Sequence, residues 1–386
     1  MYIYFDNSAT TQVDPEVLEA MLPYFKEKYA NPSSMHIPGR EIRDDLESAR
    51  ESIARLINAK AHEIVFTASG SESNNMAIKG AAHALKGKGN HIITSKIEHK
   101  AVLEPFKFLE KEGYDVTFLD VDEKGFIGMD TFKKAVRDDT ILVSIMLANN
   151  EIGAIQPIKM IADYAKNRGI AVHTDAVQAM GKMRVDVQDL GVNLLTFSGH
   201  KFYAPKGIGA LFIEEDLKEK IEPIVHGGSH EYGLRAGTEN VPYIMGLKKA
   251  CQLIEKNLDS EAERIGTLRD SFEEKILKEI PDTYVNGSIQ NRVCNVSNIT
   301  FKYVEGEALM AYASDICCSA GSACSSQSGD VSHVLKAIGT DPVDMHGAIR
   351  FSFGRFNAMY EVDTAVDLLR SSVEKLRKIS PIYNTL

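Results

Sequence analysis

"ILVSIMLANNEIGAIQPIKMIADYAKNRGIAVHT", residues 141–174, decides the fold class. It opens on a near-continuous apolar run (141–147) and crosses a polar turn. It then enters "IKMIADYAKNRG" (158–169), where apolar residues recur at helical spacing. Basic residues in the last turn, followed by Gly169, are a helix stop signal. A second apolar run, "IAVHT" (170–174), follows at once. Strand, helix and strand, with both strands largely apolar, form the repeating unit of a parallel sheet covered on both faces.

The same alternation extends outward over about residues 60–215. Further strands are predicted at "EIVFT" (63–67), "HIITS" (91–95), "DVTFL" (115–119), "LLTFS" (194–198) and "GALFI" (209–213). Helices are predicted over Ser73–Leu85 and Lys100–Glu112, the second stopped by Gly113. Upstream, "VDPEVLEAML" supplies Asp14 as a cap and Pro15 as a first helical residue. Downstream the pattern changes to a long helical region from about Val241 to Ile280, predicted to break near Asp259 and to end at Pro281. After it come "CNVSNITF" (strand), "EGEALMAYA" (helix), a cysteine-bearing loop, "VSHVLKAIG" (helix), "AIRFSF" (strand) and an amphipathic helix to about Lys378. The expectation is an α/β protein: a large domain over 15–258 with a mostly parallel, helix-covered sheet, and a smaller α+β domain built from 1–14 and 259–386.

The chain has 386 residues and a formal net charge of −10. That balance argues against nucleic acid or an anionic membrane as main partner. "MYIYFDNSATT" lacks the basic-then-apolar pattern of an export signal, and no apolar run approaches the roughly 20 residues of a membrane span. Five cysteines, an odd number, point to a reducing, cytoplasmic setting.

In open α/β sheets, ligands bind at the carboxyl ends of the strands. "ASGSESNN" follows the first strand, so Gly70, the Ser69 and Ser71 hydroxyls and free helix amides form a candidate phosphate cradle. Glu98 and His99 follow the next, Asn149, Asn150 and Glu151 another, then Asp175 and Gln178, then "GHK" ending in Lys201. Five strands each deliver a polar or titratable group to one edge, which points to a functional site. A lysine after an apolar strand has a desolvated amine, and only the neutral amine attacks a carbonyl. Lys201, a carboxylate at Asp175, a flat ring at His99 and the phosphate cradle are the set that pyridoxal 5'-phosphate requires.

"DICCSAGSACSSQSGDVSHVL", residues 315–335, places three cysteines among small polar residues. The reducing setting disfavours a disulfide. The spacing lacks C-x2-C and the nearby imidazole is His333, so no metal is expected. A mobile, reactive thiol remains, with Gly321 and Gly329 giving the segment freedom. Cys317 and Cys318 are expected to end a buried strand, and Cys251 and Cys294 to be core or incidental.

"YFDNSATTQVDPEV", "IVFTASGSESNN", "HIITSKIEHKAVL", "HTDAVQAMGK", "SGHKFYAPKGIGAL", "HGGSHEYGLRAGTEN", "GSACSS" and "AIRFSFGRF" together resemble the cysteine desulfurases of the NifS/IscS type, in the aminotransferase class V branch of fold-type-I pyridoxal-phosphate enzymes. The resemblance runs nearly end to end. It implies Lys201 as the lysine that holds the cofactor, Asp175 at the ring nitrogen, Gln178 at the phenolic oxygen, and His99 on the ring face and in proton transfer. It implies phosphate contacts from Ser71, Ser198 and His200, with Thr238 reaching in from the second subunit of a homodimer. Asn150 and Arg350 would hold the carboxylate of L-cysteine, and Cys324 would receive the sulfur for delivery to an acceptor protein such as an iron–sulfur scaffold. The chain departs from the family's pattern in Ser71, commonly threonine, in "SAGSAC" for "SSGSAC", and in Cys317 and Cys318. "SPIYNTL" stops where IscS-type enzymes carry a scaffold-docking tail, which leans toward a NifS-like or specialised member. A mobile thiol has no use in transamination, which argues against an aminotransferase. A selenocysteine lyase or another class V pyridoxal-phosphate enzyme stays open as the alternative, while an intact catalytic set argues against a silent binding platform.

Overall fold

The computed structural model describes residues 2–320, 331–379 and 383. Cys324 lies outside them. In chain order the strands are β1 (Ile3–Tyr4), β2 (Ile64–Thr67), β3 (His91–Ser95), β4 (Asp115–Leu119), β5 (Thr140–Ser144), β6 (Ala171–Asp175), β7 (Leu194–Ser198), β8 (Gly209–Ile213), β9 (Thr283–Val285), β10 (Val296–Phe301), β11 (Ile316–Cys317) and β12 (Ala348–Ser352). Seven of them form one sheet in the order β2-β8-β7-β6-β5-β3-β4. β8 runs antiparallel to both its neighbours and the other pairings are parallel. The mostly parallel α/β expectation is therefore borne out, and all seven predicted strands are present.

The strands form because they can be buried on both faces: every residue of β2, β3, β5, β6, β7 and β8 is buried. β5 is shorter than its apolar run, stopping at Ser144. Two residues on, the Met146 amide is taken by the buried Glu98 carboxyl group (3.0 Å to each oxygen), and the chain turns toward the cleft. The helix after β2 starts at Gly70, earlier than predicted, because the Ser69 hydroxyl caps it by accepting from the Glu72 amide.

The second part of the chain carries an antiparallel sheet, β12-β10-β9, and a short parallel pair, β1 with β11. One helix, Val241–Glu279, runs unbroken through 39 residues. The predicted break at Asp259 is thus a misreading. The polar stretch 255–264 holds no Pro or Gly and no buried side chain, so it leaves the helix intact while its packing partner changes. Before it, Ile244, Leu247 and Ile254 pack in the core of the large sheet; after it, Leu268, Phe272 and Ile276 pack in a second core with β10 and β12. The two cores are also tied by Arg355, which bonds Asp14 (2.6 Å) and Glu261 (2.5 Å), while its amide donates to the Tyr203 hydroxyl (2.6 Å).

Phe272 sits at the centre of the second core, with ring centroids 5.8 Å from Phe5, 4.8 Å from Phe351 and 5.5 Å from Phe353. Phe272→Ala should lower unfolding free energy by about 3–5 kcal/mol. Leu277→Ala, at an exposed position on the same helix, should stay within about 0.5 kcal/mol. Urea denaturation checks both; equal effects would mean the second core does not rest on this ring.

Candidate active site

Ten sequence-predicted residues meet in one cleft of about 240 Å³ at the carboxyl ends of the large sheet: Gly70, Ser71, His99, Asn150, Asp175, Gln178, Ser198, His200, Lys201 and Arg350. Thr238 lies instead in a separate hollow with Arg235 and Glu239. Cys324 is beyond the described residues.

One end of the cleft is the N-terminus of the helix Gly70–Leu85, where backbone amides lack intrahelical partners. Gly70 is required there by close approach. A Cβ on it would meet Val177 Cγ2 at 3.0 Å and Ser198 Cβ at 3.3 Å. Together with Ser71, Ser198 and His200 this end offers amide and hydroxyl donors to an anion. Burial and the Lys201, Lys206 and Lys182 charges push His200 down to about 4, so its ring is neutral at pH 7.

Asp175 is the last residue of β6 and is held from both oxygens. Asn74 Nδ2 donates to Oδ2 (2.7 Å) and the Val177 amide to Oδ1 (2.9 Å). Sequence reading missed Asn74; its side chain lies one helical turn from Ser71, a signal available only after the helix start is placed. Gln178 Nε2 donates to the Ser8 carbonyl (3.0 Å). Lys201 Nζ donates to the carbonyls of Ser8 (2.6 Å) and Ala9 (2.7 Å). Ser8 and Ala9, about 190 residues earlier in the chain, belong to the "DNSATT" segment, and nothing local announces that they face this lysine.

His99 caps the helix Lys100–Lys111, its Nδ1 accepting from the Ala101 amide (3.1 Å). Burial pushes its pKa below the usual histidine range. The ring is therefore neutral, with its hydrogen on Nε2. Beneath it, Glu98 is fully enclosed, and burial pushes its carboxyl up to about 8 despite donors from Ser95 and Met146.

Arg350 enters from β12, in the second sheet, and is buried. Its Nη2 donates to Asp6 Oδ1 (2.7 Å) and its Nη1 to the Asn150 carbonyl (3.1 Å). Among the described residues, four buried polar atoms of the cleft have no partner: Ser8 Oγ, Asn74 Oδ1, Gln178 Oε1 and Arg350 Nε. Leaving such atoms unmet costs about 1–3 kcal/mol each, so the wall is made for a polar guest. An anion cradle, a carboxylate and a lysine amine with such a wall between them suit an anionic, aromatic, carbonyl-bearing group.

The cysteines among the described residues are as expected in part. Cys251 is core, and burial pushes its thiol up. Cys317 ends β11, but it and Cys318 are half-buried rather than buried.

The aminotransferase class-V family pattern matches residues 3–365. The chain belongs to the aminotransferase class V family. This class V chain is 52% identical over 382 residues to a cysteine desulfurase IscS of Dictyoglomus turgidum, covering 98% of this chain and 96% of the relative. It is 48% identical over 390 residues to a cysteine desulfurase IscS of Methanosarcina thermophila, covering 100% and 96%. Among solved structures, a NifS-like protein superposes with a TM-score of 0.91 at 36% identity, covering 97% of this chain and all of that one. A structure titled SspA in complex with cysteine superposes with a TM-score of 0.82 at 38% identity, covering 92% and 100%. Family and fold agree with the resemblance read from the motifs.

Glu98 gives a pH test. A carboxyl raised from 4.5 to about 8 holds its proton in the folded chain while the unfolded chain has lost it. The stability contributed by that proton is present below pH 4.5 and is lost as pH rises toward 8. Glu98→Gln should therefore gain on the wild type as pH climbs from 5 to 8 in thermal melts; a difference that stays constant with pH would remove Glu98 from this role.

Proposed function

We propose that the chain is a cysteine desulfurase that uses pyridoxal 5'-phosphate to convert L-cysteine to L-alanine, with the sulfur passed to Cys324 as a persulfide and then to iron–sulfur clusters or other thio-cofactors. The observation that carries this reading is the convergence of Lys201, Asp175 and Arg350 on one cleft whose wall holds unpartnered polar atoms. The desulfurase names of the full-length relatives support it.

The residues fit the cofactor. Gly70, Ser71, Ser198 and His200 would take its phosphate, with Thr238 supplied from the second subunit of a homodimer. Asp175, oriented by Asn74 and the Val177 amide, would keep the ring nitrogen protonated, and Gln178 would meet the phenolic oxygen. Lys201 would anchor it covalently. Pyridoxal phosphate, when bound, supplies an electron-accepting ring that stabilises negative charge at the substrate's α-carbon. Arg350 and Asn150 would hold the substrate carboxylate, the guanidinium already being fixed by Asp6. His99, neutral and half-buried at the cleft, would stack on the ring and carry protons through Nε2. In the net reaction the substrate carbon–sulfur bond breaks, a sulfur–sulfur bond forms on Cys324, and the substrate β-carbon gains a proton. The other parts of the reading follow from the same assignment: residues 15–258 as the cofactor-binding domain, 1–14 with 259–386 as the smaller one, a cytoplasmic location and a protein sulfur acceptor.

Wild type supplied with L-cysteine and a reductant should release alanine and sulfide in equal amounts, and Cys324→Ala should keep the visible cofactor absorbance while losing both products. A coloured wild type that yields neither product would leave the fold and overturn the reaction. Arg350→Ala should remove a charge-assisted bond of about 1.5–3 kcal/mol and so raise KM for cysteine roughly 10- to 100-fold. A KM within twofold of wild type would take Arg350 out of the carboxylate role.

A further inference from the structure

The turn that carries Lys201, Gly199–Lys201, ends β7 as a single 3-10 turn. Each of its carbonyls is held by a different part of the chain. The Gly199 carbonyl accepts from the Phe202 (3.0 Å) and Ala204 (3.1 Å) amides, and the His200 carbonyl from the Thr11 amide (2.9 Å). The Lys201 carbonyl accepts from Lys182 Nζ at 2.6 Å. We propose that Lys182 is a positioning residue for Lys201: its buried ammonium grips the Lys201 carbonyl oxygen and fixes the turn from which the Lys201 amine reaches into the cleft. The inference rests on reading Lys201 as the residue that anchors pyridoxal phosphate.

Three observations carry it. Lys182 is buried, and among the described residues no Asp or Glu pairs with it; its other oxygen contact is the Met180 carbonyl at 3.5 Å. An ammonium enclosed without a counter-charge is expensive, and a Met or Gln fills the same space at lower desolvation cost. What the cation adds is a short charge-assisted bond, stronger and stiffer than a neutral one. The second observation is the backbone that brings it there. Gly181 has φ +74° and packs so closely on Phe202 that a Cβ would meet Phe202 Cβ at 3.0 Å. That contact sets the segment after β6 directly against the segment after β7. The third is the position of the bond at the root of the lysine. The Lys201 tip is aligned by the Ser8 and Ala9 carbonyls, and its root by Lys182. Burial also pushes the Lys182 amine down to about 8, as expected of a cation held away from water.

The test is the rate at which apoprotein attaches pyridoxal phosphate, a step that forms one carbon–nitrogen bond on Lys201 and releases one water. Samples are quenched with borohydride and the mass gain on the Lys201 peptide is followed with time. Lys182→Met should slow attachment about 10- to 100-fold through the loss of one charge-assisted hydrogen bond. It should leave unchanged the equilibrium binding of pyridoxine 5'-phosphate, which has the ring and phosphate but no aldehyde. Lys182→Arg, which restores a cationic donor, should recover most of the rate. Attachment by Lys182→Met at the wild-type rate overturns the proposal, as does an equal loss for both ligands without rescue by arginine, which marks a general packing role. If the Met variant does not fold, Lys182→Gln, a neutral donor, is read against Lys182→Arg in the same way, and equal rates for the two overturn it. A wild-type apoprotein that gains no mass on Lys201 sinks the cofactor reading, and this inference with it.

Discussion

Residues 5–14 are the strap on which the site depends. Their backbone is bonded to both cores: the Phe5 amide to Cys317 and the Asn7 amide to Ser352 on one side, the Thr11 amide to His200 and the Asp14 amide to Tyr203 on the other. The same segment supplies the carbonyls that meet Lys201 and Gln178 and the carboxylate that fixes Arg350. The cleft is thus not a property of the large sheet alone. Its floor comes from strand ends, its far wall from β12, and the strap holds the two in register.

The charges around the cleft follow a consistent logic. Burial favours uncharged forms, so His99 and His200 are neutral, and the Glu98 carboxyl titrates near 8. Two polar side chains of the cleft are each held by several partners, Asp175 by Asn74 and the Val177 amide, Arg350 by Asp6 and the Asn150 carbonyl. An enclosed site of this kind keeps its fixed dipoles where a reacting charge can use them.

Most of the architecture was legible because strand burial on both faces leaves a strong local signature. Short windows showed the seven strands and the residue types at their ends, which is why Gly70, Ser71, His99, Asn150, Asp175, Gln178 and Lys201 could be named from strand ends, while Ser198, His200 and Arg350 came from the family resemblance. Two features resisted. Residues 255–264 look like a helix boundary by polarity, yet nothing in them breaks helical backbone; only the presence of two cores explains the change. Asp6, Ser8, Ala9, Asn74 and Lys182 act through partners tens to hundreds of residues away, and no periodicity encodes such pairings. The stop of β5 at Ser144 has the same origin, since the carboxyl group that takes the Met146 amide comes from just past the end of β3.

The unbroken helix Val241–Glu279 has a mechanical consequence. Thirty-nine residues at 1.5 Å rise make a rod about 58 Å long, embedded at one end in each core. Lacking a proline, a glycine pair or an interruption of its ladder at the crossing, such a rod has no hinge. Displacement of one core against the other is confined to shallow flexing and twisting along this shaft, with the strap as a second tether. Shaft and strap together resist a jaw-like opening of the two cores about the cleft.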